Sequence, residues 1–528
     1  MSDDAKRTNE SRDATALTGG RLLARNAAGN AVSQILPMAV ALVSMPWLIR
    51  GLGTDRFGVM TLAWMVLGYF SLFDLGLGRA LTQAVAEKLG RNESAEVPPL
   101  IWTALALMAA LGAAGGCLVA GFTPWLIGSA LKVPGPIQRE SIGAFYVMAA
   151  ALPTVILTTG FRGVMEAHQR FKAVIAIRTA TSLAVLLGPL AVLPFTNNLA
   201  VVVGVVAVLR VVACVAHVVY CLRAIPGLRG GLTGRFAPIR PLLKYGGWMT
   251  AVNIINPLMV QMDRFLIAAV VSTAAVAYYT TPFELITRAW FLSGSIVVVL
   301  FPAFATSYVG DRARTAAIFA RCLRTVGVIL FPIALGGVAV GREVLWMWVG
   351  GDFAIEGARV LQWLSLGVLL NGLAQVPSAL IQGVGRPELT FKLHLIELPP
   401  YLLATWYLTV HHGIEGAALA WAGRTALDLV LYFAAVGWVL PEGAASIRRA
   451  WRGVGAALVV LAFAAVPLGL AYRVVVLIVG ALAFAGVVWS RMLSSDERGA
   501  AVSKIAAILG RADTRFEDRL RFPSEAAK

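Results

Sequence analysis

An all-α polytopic membrane protein is the fold class this sequence predicts, and three observations lead there. Hydrophobic residues make up 58% of the 528 positions and charged residues only 14%, with a mean hydropathy of +0.76, outside the range of soluble domains. Apolar runs of about 19 to 25 residues recur along the chain. At about 1.5 Å per residue each can cross a hydrocarbon core of about 30 Å. The 45 Lys and Arg gather between the runs, and a cytoplasmic N-terminus puts most of them inside. The net charge of +17 therefore reads as membrane topology and not as a nucleic-acid footprint.

Runs bounded by charge, Gly and Pro define fourteen expected spans. They are 27–49, 57–78, 98–121, 141–161, 173–193, 199–221, 245–270, 276–306, 316–340, 359–383, 390–410, 414–440, 453–471 and 474–490. The segment 1–25 is a polar cytoplasmic tail. The run after it lacks a small-x-small cleavage site in the right place, so the first helix is expected to stay as an anchor. Outside connections are expected to be short, the longest being about 122–140 and 341–358. Only Tyr472 and Arg473 separate the last two spans. The tail 493–528 is expected to be cytoplasmic, with Val502, Ile505, Ile508 and Leu509 at the spacing of an interfacial helix.

The stretch 245–270 organises the rest. It follows the basic linker 223–244, which carries Arg223, Arg229, Arg235, Arg240 and Lys244. Six spans precede the linker (26–222) and six follow it (245–440), with 441–492 holding the last two. This implies a repeat related by an axis along the membrane normal. Both first helices carry polar residues and a proline: Asn30, Gln34 and Pro37 in one, Asn253, Asn256 and Pro257 in the other. Pro257 removes a backbone donor and exposes the Asn253 carbonyl, so a kink at depth is expected.

Ten ionisable residues fall inside the spans: Arg178, Arg210, Arg264, Arg288 and Arg424 against Asp74, Asp263, Glu284, Glu397 and Asp428. Each would cost at least about 2.5 kcal/mol facing lipid at a helix centre, so most must face a shared interior. Glu284 with Arg288, and Arg424 with Asp428, are four apart and can neutralise each other on one helix face. Asp263 and Arg264 diverge by about 100° and are expected to need partners elsewhere. Arg178 and Glu397 lie near cytoplasmic helix ends, within reach of snorkelling. Arg210 is about 16 Å from either end of its helix with no acid within a turn, and reads as a cavity cation. The span 276–306 carries Ser293-Gly294-Ser295 and Phe301-Pro302 as expected bending points. The four cysteines and five scattered histidines suggest neither disulfides nor a metal site. No Walker-type stretch calls for a nucleotide, and no cofactor is expected.

Short motifs add a family. Asn30-x-x-x-Gln34-x-x-Pro37, Arg50-Gly-Leu-Gly53, Phe57-Gly58 and Asp74-Leu-Gly76 come first. Tyr245-Gly-Gly-Trp248, Asp263-Arg264, Phe301-Pro302, Gly385-Arg386, Glu397 and Gly413-Ile-Glu-Gly416 follow. In order and spacing, over about 26–440, the chain resembles the oligosaccharide flippases of the multidrug/oligosaccharidyl-lipid/polysaccharide exporter superfamily. The resemblance implies two six-helix lobes around a cavity open to alternate sides, in the bacterial inner membrane. It also implies an undecaprenyl-diphosphate-linked O-antigen or other polysaccharide repeat unit as substrate, its diphosphate held by arginines and its tail left in the bilayer. Membrane lipids, a polysaccharide polymerase and chain-length proteins are the implied partners.

Depth nominates Arg210, Arg264, Arg288 and Arg424 as substrate-binding cations. The polar lining and ion-coupling candidates are Asn30, Gln34, Asp74, Asn253, Asn256, Asp263, Glu284, Glu397 and Asp428. Two rivals differ in sequence terms. A glycosyltransferase, ligase or acyltransferase needs a catalytic acid or base by a membrane surface, usually on a large loop, and nothing here combines those features. A drug exporter of the same superfamily would favour a carboxylate in the first helix, which has none.

Overall fold

The computed structural model describes residues 20–70, 77–91, 93–225, 227–228, 259, 261–294, 296, 304, 307–308 and 310–487. The polar tail, most of the basic linker, most of the stretch 245–260 and the interfacial-helix candidate at 502–509 fall outside these. Every described element is helical: α1 (Gly20–Leu52), α2 (Thr54–Phe70), α3 (Leu77–Gly90), α4 (Val97–Trp125), α5 (Gly135–Ala167), α6 (Phe171–Val192), α7 (Leu199–Ala224), a segment 261–270 (α8), α9 (Thr273–Thr287), α10 (Arg312–Trp348), α11 (Gly351–Glu356), α12 (Ala358–Gly383), α13 (Pro387–Val439), α14 (Ala444–Ala464) and α15 (Leu470–Val487). Eight are long and apolar enough to cross a membrane, and the chain is a multi-pass membrane protein.

One of the eight is two spans. At 53 residues α13 would be about 80 Å long if straight, but Gly413 breaks it with φ 59 and ψ −139, a conformation open to glycine alone without strain. Residues equidistant from Gly413 then face one another. Arg424 lies over the Tyr401 ring at 5.5 Å, and the Tyr432 hydroxyl lies 3.0 Å from His394 Nε2. The hairpin matches the expected spans 390–410 and 414–440.

Several boundaries move. Within the run 57–78, α2 is described as far as Phe70 and α3 from Leu77, and Leu77, Leu81 and Val85 are buried on one face of α3. That i, i+4, i+8 stripe makes α3 a packed amphipathic helix that runs beyond 78, the expected end of the span. The span 276–306 tightens at Arg288–Ala289, ahead of the Ser293-Gly294-Ser295 stretch. Ala289 N donates to Ile286 O at 3.1 Å and Phe291 N to Arg288 O at 3.2 Å, the shorter i to i+3 pattern of a helix interruption. The two segments expected as the longest outside loops are mostly helical: α4 continues into a π-helical turn at Leu126–Ala130, and α10 breaks at Val340 (φ −123, ψ 16), the expected end of its span, before a further helical stretch to Trp348 and then α11. The last two helices part at 465–469, around Pro467, not at Tyr472 and Arg473. Arg473 instead pins α15 to α10 through two bonds to Glu343, at 2.7 and 3.4 Å.

Within the first half Glu140 joins three elements. It accepts from Arg56 Nε of α2 at 2.7 Å and from the Leu199 N–H at the start of α7 at 3.0 Å, a favourable place for a carboxylate because four backbone donors there lack partners. Where the halves meet, α2 lies along α9. A Cβ on Gly58 would sit 1.9 Å from the Thr273 carbonyl oxygen, so only glycine permits this approach.

Candidate functional site

Among the described residues, four hydrogen bonds join the two halves, three of them between helix ends. Asp55 Oδ1 accepts from Thr273 Oγ1 at 2.8 Å. Lys132 N donates to Ala268 O at 3.0 Å, and its Nζ donates to Val270 O. Trp348 Nε1 donates to Leu42 O at 2.7 Å. Asp55, Lys132, 268–273 and Trp348 all fall at helix ends that the sequence reading places outside. Sequence reasoning had singled out none of these four contacts, because each joins residues more than a hundred positions apart.

Below this seam lie the intramembrane charges. Asp263 and Arg264 are 1% and 2% exposed and, contrary to expectation, pair with each other. Asp263 Oδ1 accepts from the Arg264 backbone N at 2.8 Å and from its Nη1 at 3.1 Å, while Tyr279 donates to Oδ2. Adjacent positions diverge around a helix axis, but a long guanidinium side chain can curl back to its neighbour. The Arg264 guanidinium also sits 4.0 Å from the Phe283 ring centroid, and Phe283 packs edge-on to Trp421 and Trp290 at 5.5 and 6.1 Å. Aromatic faces compensate a desolvated cation.

Glu284 and Arg288 pair at 2.5 Å as their spacing predicts, with both side chains about one third exposed. Arg424 and Asp428 pair at 3.1 Å with side chains 6% and 3% exposed. Here the hairpin brings in more than the sequence suggested. Glu397 is 1% exposed and does not snorkel, because it lies ten residues, about 15 Å, into a helix that begins at 387. Its carboxylate lies within 4.8 Å of that of Asp428. His394, one turn earlier on the same face, places Nε2 3.9 Å from Asp428 Oδ1. His394, Glu397 and Asp428 bring one donor atom each within 4.8 Å of one another. Arg424 already sits on this group and Tyr432 on His394, so a divalent ion would leave excess positive charge buried. The available signal was the i, i+3, i+7 spacing of His394, Glu397 and Tyr401; the partners across the turn were not visible.

Arg210 stands apart. It is half-buried at mid-length of α7, and among the described residues it has no carboxylate partner and its Nε has no hydrogen-bond acceptor. Arg178 is half-buried in α6 and engaged with a neighbour. Asp74, Asn253 and Asn256 lie outside the described residues, as do the side chains of Asn30 and Gln34, whose backbone belongs to α1. The structure thus brings Glu397, Arg424 and Asp428 together and keeps Arg210, in the other half, separate from them. Between α1 and α6 runs an apolar groove of about 590 Å³, lined by Ala39, Val43, Trp47, Leu187 and Leu190 among others. Val43 and Trp47 are largely exposed there.

Comparison with known proteins places this arrangement. The profile of a family described as "Polysaccharide biosynthesis protein" matches residues 47–354, more than half of the chain. A Shigella flexneri protein named "Putative O-antigen transporter" is 28% identical over 408 residues, 77% of this chain and 96% of that one. The lipopolysaccharide biosynthesis protein WzxC of Escherichia coli (strain K12) is 24% identical, over 70% of this chain and 71% of that one. Among solved structures, an inward-facing multidrug resistance MATE family transporter of the MOP superfamily aligns with a TM-score of 0.66 at 13% identity, covering 82% of this chain and 99% of that one. The lipid II flippase MurJ in an inward closed conformation aligns with a TM-score of 0.65 at 11% identity, covering 88% and 99%. These structures share the fold.

Proposed function

The chain belongs to the polysaccharide biosynthesis protein family, and on that premise we propose that it is a flippase for undecaprenyl-diphosphate-linked oligosaccharide. It moves the repeat unit from the inner to the outer leaflet of the bacterial cytoplasmic membrane, in O-antigen or related polysaccharide biosynthesis. The observation that carries this reading is the seam. Two halves bonded mainly between helix ends, with charged side chains below, form a hinge that can close on alternate sides. On this reading the seam is the external gate, both termini are cytoplasmic, and fourteen spans form two six-helix lobes (26–222 and 245–440) followed by the pair within 441–492. The linker 223–244 and the tails 1–25 and 493–528 face the cytoplasm.

Arg210 is the diphosphate ligand in this proposal, because a deep guanidinium without a carboxylate can give two parallel hydrogen bonds to a phosphate. Arg264, Arg288 and Arg424 contribute positive potential while held by their own acids. The polar positions Asn30, Gln34, Asp74, Asn253 and Asn256 line the path. The groove between α1 and α6 accommodates acyl or isoprenoid chain, keeping the tail in the bilayer. A diphosphate carries about two negative charges, and each gains about 2.3 kcal/mol per 100 mV on moving outward, so the membrane potential is a sufficient driving force. The product would pass to a polymerase and chain-length proteins. A drug-exporting role is less well supported, since α1 contains no carboxylate.

Flipping of lipid-linked oligosaccharide in proteoliposomes with an imposed potential and no ion gradient tests the proposal. Potential-dependent transfer to the other leaflet is the expected result. Export of cationic drugs without any transfer of the lipid-linked sugar would overturn it.

A further inference from the structure

The α13 hairpin holds two carboxylates against one guanidinium. Asp428 Oδ2 accepts from Arg424 Nη1 at 3.1 Å, which accounts for one negative charge. Glu397 is left with both oxygens buried and, among the described residues, without a donor; Asp428 Oδ1 is in the same state. Carboxylate oxygens of the two residues lie within 4.8 Å of each other, yet two ionised carboxylates are acceptors only and cannot bond to one another. In a dry interior they cannot both remain charged. One positive charge is missing, and the smallest that turns two facing acceptors into a donor and an acceptor is a proton.

We propose that Glu397 and Asp428 are a carboxyl–carboxylate pair that binds a single proton inside the hairpin, with His394 as its exchange route to solvent. Uptake transfers one proton from water to a Glu397 carboxyl oxygen, which then donates to Asp428 Oδ1; release reverses this, and no other bond changes. His394 suits the relay. Its side chain is 21% exposed while those of its partners are buried, and Nε2 lies 3.9 Å from Asp428 Oδ1 and 3.0 Å from the Tyr432 hydroxyl.

The neighbours do not supply the missing charge. From α8 and α9, Arg264 is taken by Asp263 and Tyr279 bonds Asp263. Tyr401, one turn from Glu397, lies beneath Arg424 and carries no charge of its own. On α12 the Ser378 hydroxyl lies by Tyr432 and carries no charge. Glu442 and the Arg448, Arg449 and Arg452 side chains of α14 are exposed. The inference extends the proposed function by naming an ion that could couple to transport, but it concerns proton binding and stands whether or not the chain flips a lipid.

Infrared spectroscopy of the full-length protein in nanodiscs at pH 7 tests it, because a carboxylic acid has a carbonyl stretch that carboxylates lack. A deuterium-sensitive carboxylic-acid band is expected, lost in Glu397→Gln and in Asp428→Asn and retained in Glu284→Gln. An unchanged band in folded Glu397→Gln overturns the proposal. So does a wild-type band removed by sodium chloride but not by choline chloride, which would assign the site to Na⁺. If both variants misfold, the wild-type spectrum decides alone, since absence of the band at pH 7 also overturns it. Flipping assays on the same samples read the proposed function separately.

Discussion

Arg210 and Arg424 sit deep in the helices that close the first and second half of the chain, and their surroundings differ. Arg424 has Asp428 one turn away at 3.1 Å, the Tyr401 ring beneath it and only 7% of its surface exposed. Arg210 is half-buried and has no carboxylate partner among the described residues. A guanidinium already neutralised in a dry site gains little from an anion and loses much if its partner is removed. An unneutralised one gains from any anion that arrives. Arg424 is therefore held by an acid on its own helix, whereas Arg210, on the reading proposed above, is left for a ligand.

Removing each arginine should separate these roles. The largest expected effect is on transport: Arg210→Ala should lower flipping about 100-fold or more, since two charge-assisted hydrogen bonds at about 1.5 to 3 kcal/mol each would be lost. Arg210→Lys should recover part of it, because an ammonium cannot reproduce the bidentate contact. Wild-type flipping by Arg210→Ala at normal protein level would break the comparison. Arg424→Ala should act on stability instead. It leaves Asp428 buried beside Glu397 without a cation, at a cost of about 3 to 5 kcal/mol, visible as a lowered thermal midpoint in detergent and recovered in part by Arg424→Ala combined with Asp428→Asn.

The seam offers a sharper test of how the halves move. With the four native cysteines replaced, cysteines at Asp55 and Thr273 joined by a short bis-thiol reagent should stop transport, and reduction should restore it. Continued flipping by the joined protein would show that the seam does not open. The smallest effect is expected from Arg288→Ala. Its pair with Glu284 lies within one helix and is about one third exposed, so its loss should cost at most about 1 kcal/mol, read as a small change in thermal midpoint and less than a twofold change in flipping rate.

The sequence by itself determined what depends on length, hydropathy and near neighbours. The eight long apolar helices were legible because each apolar run must match the bilayer thickness. The pairs Glu284–Arg288 and Arg424–Asp428 were legible because helix geometry alone brings i and i+4 together. The Gly413 turn was legible as the break between two runs. Tertiary structure decided what depends on chain reversal and on side-chain reach. Asp263 and Arg264 pair because a flexible arginine bends back over its helix, which an axial projection ignores. His394 meets Asp428, and Thr273 meets Asp55, only after helices fold against each other. The sequence carries no local mark of such contacts, because the energy that selects them comes from burying charge and apolar surface between elements far apart in the chain.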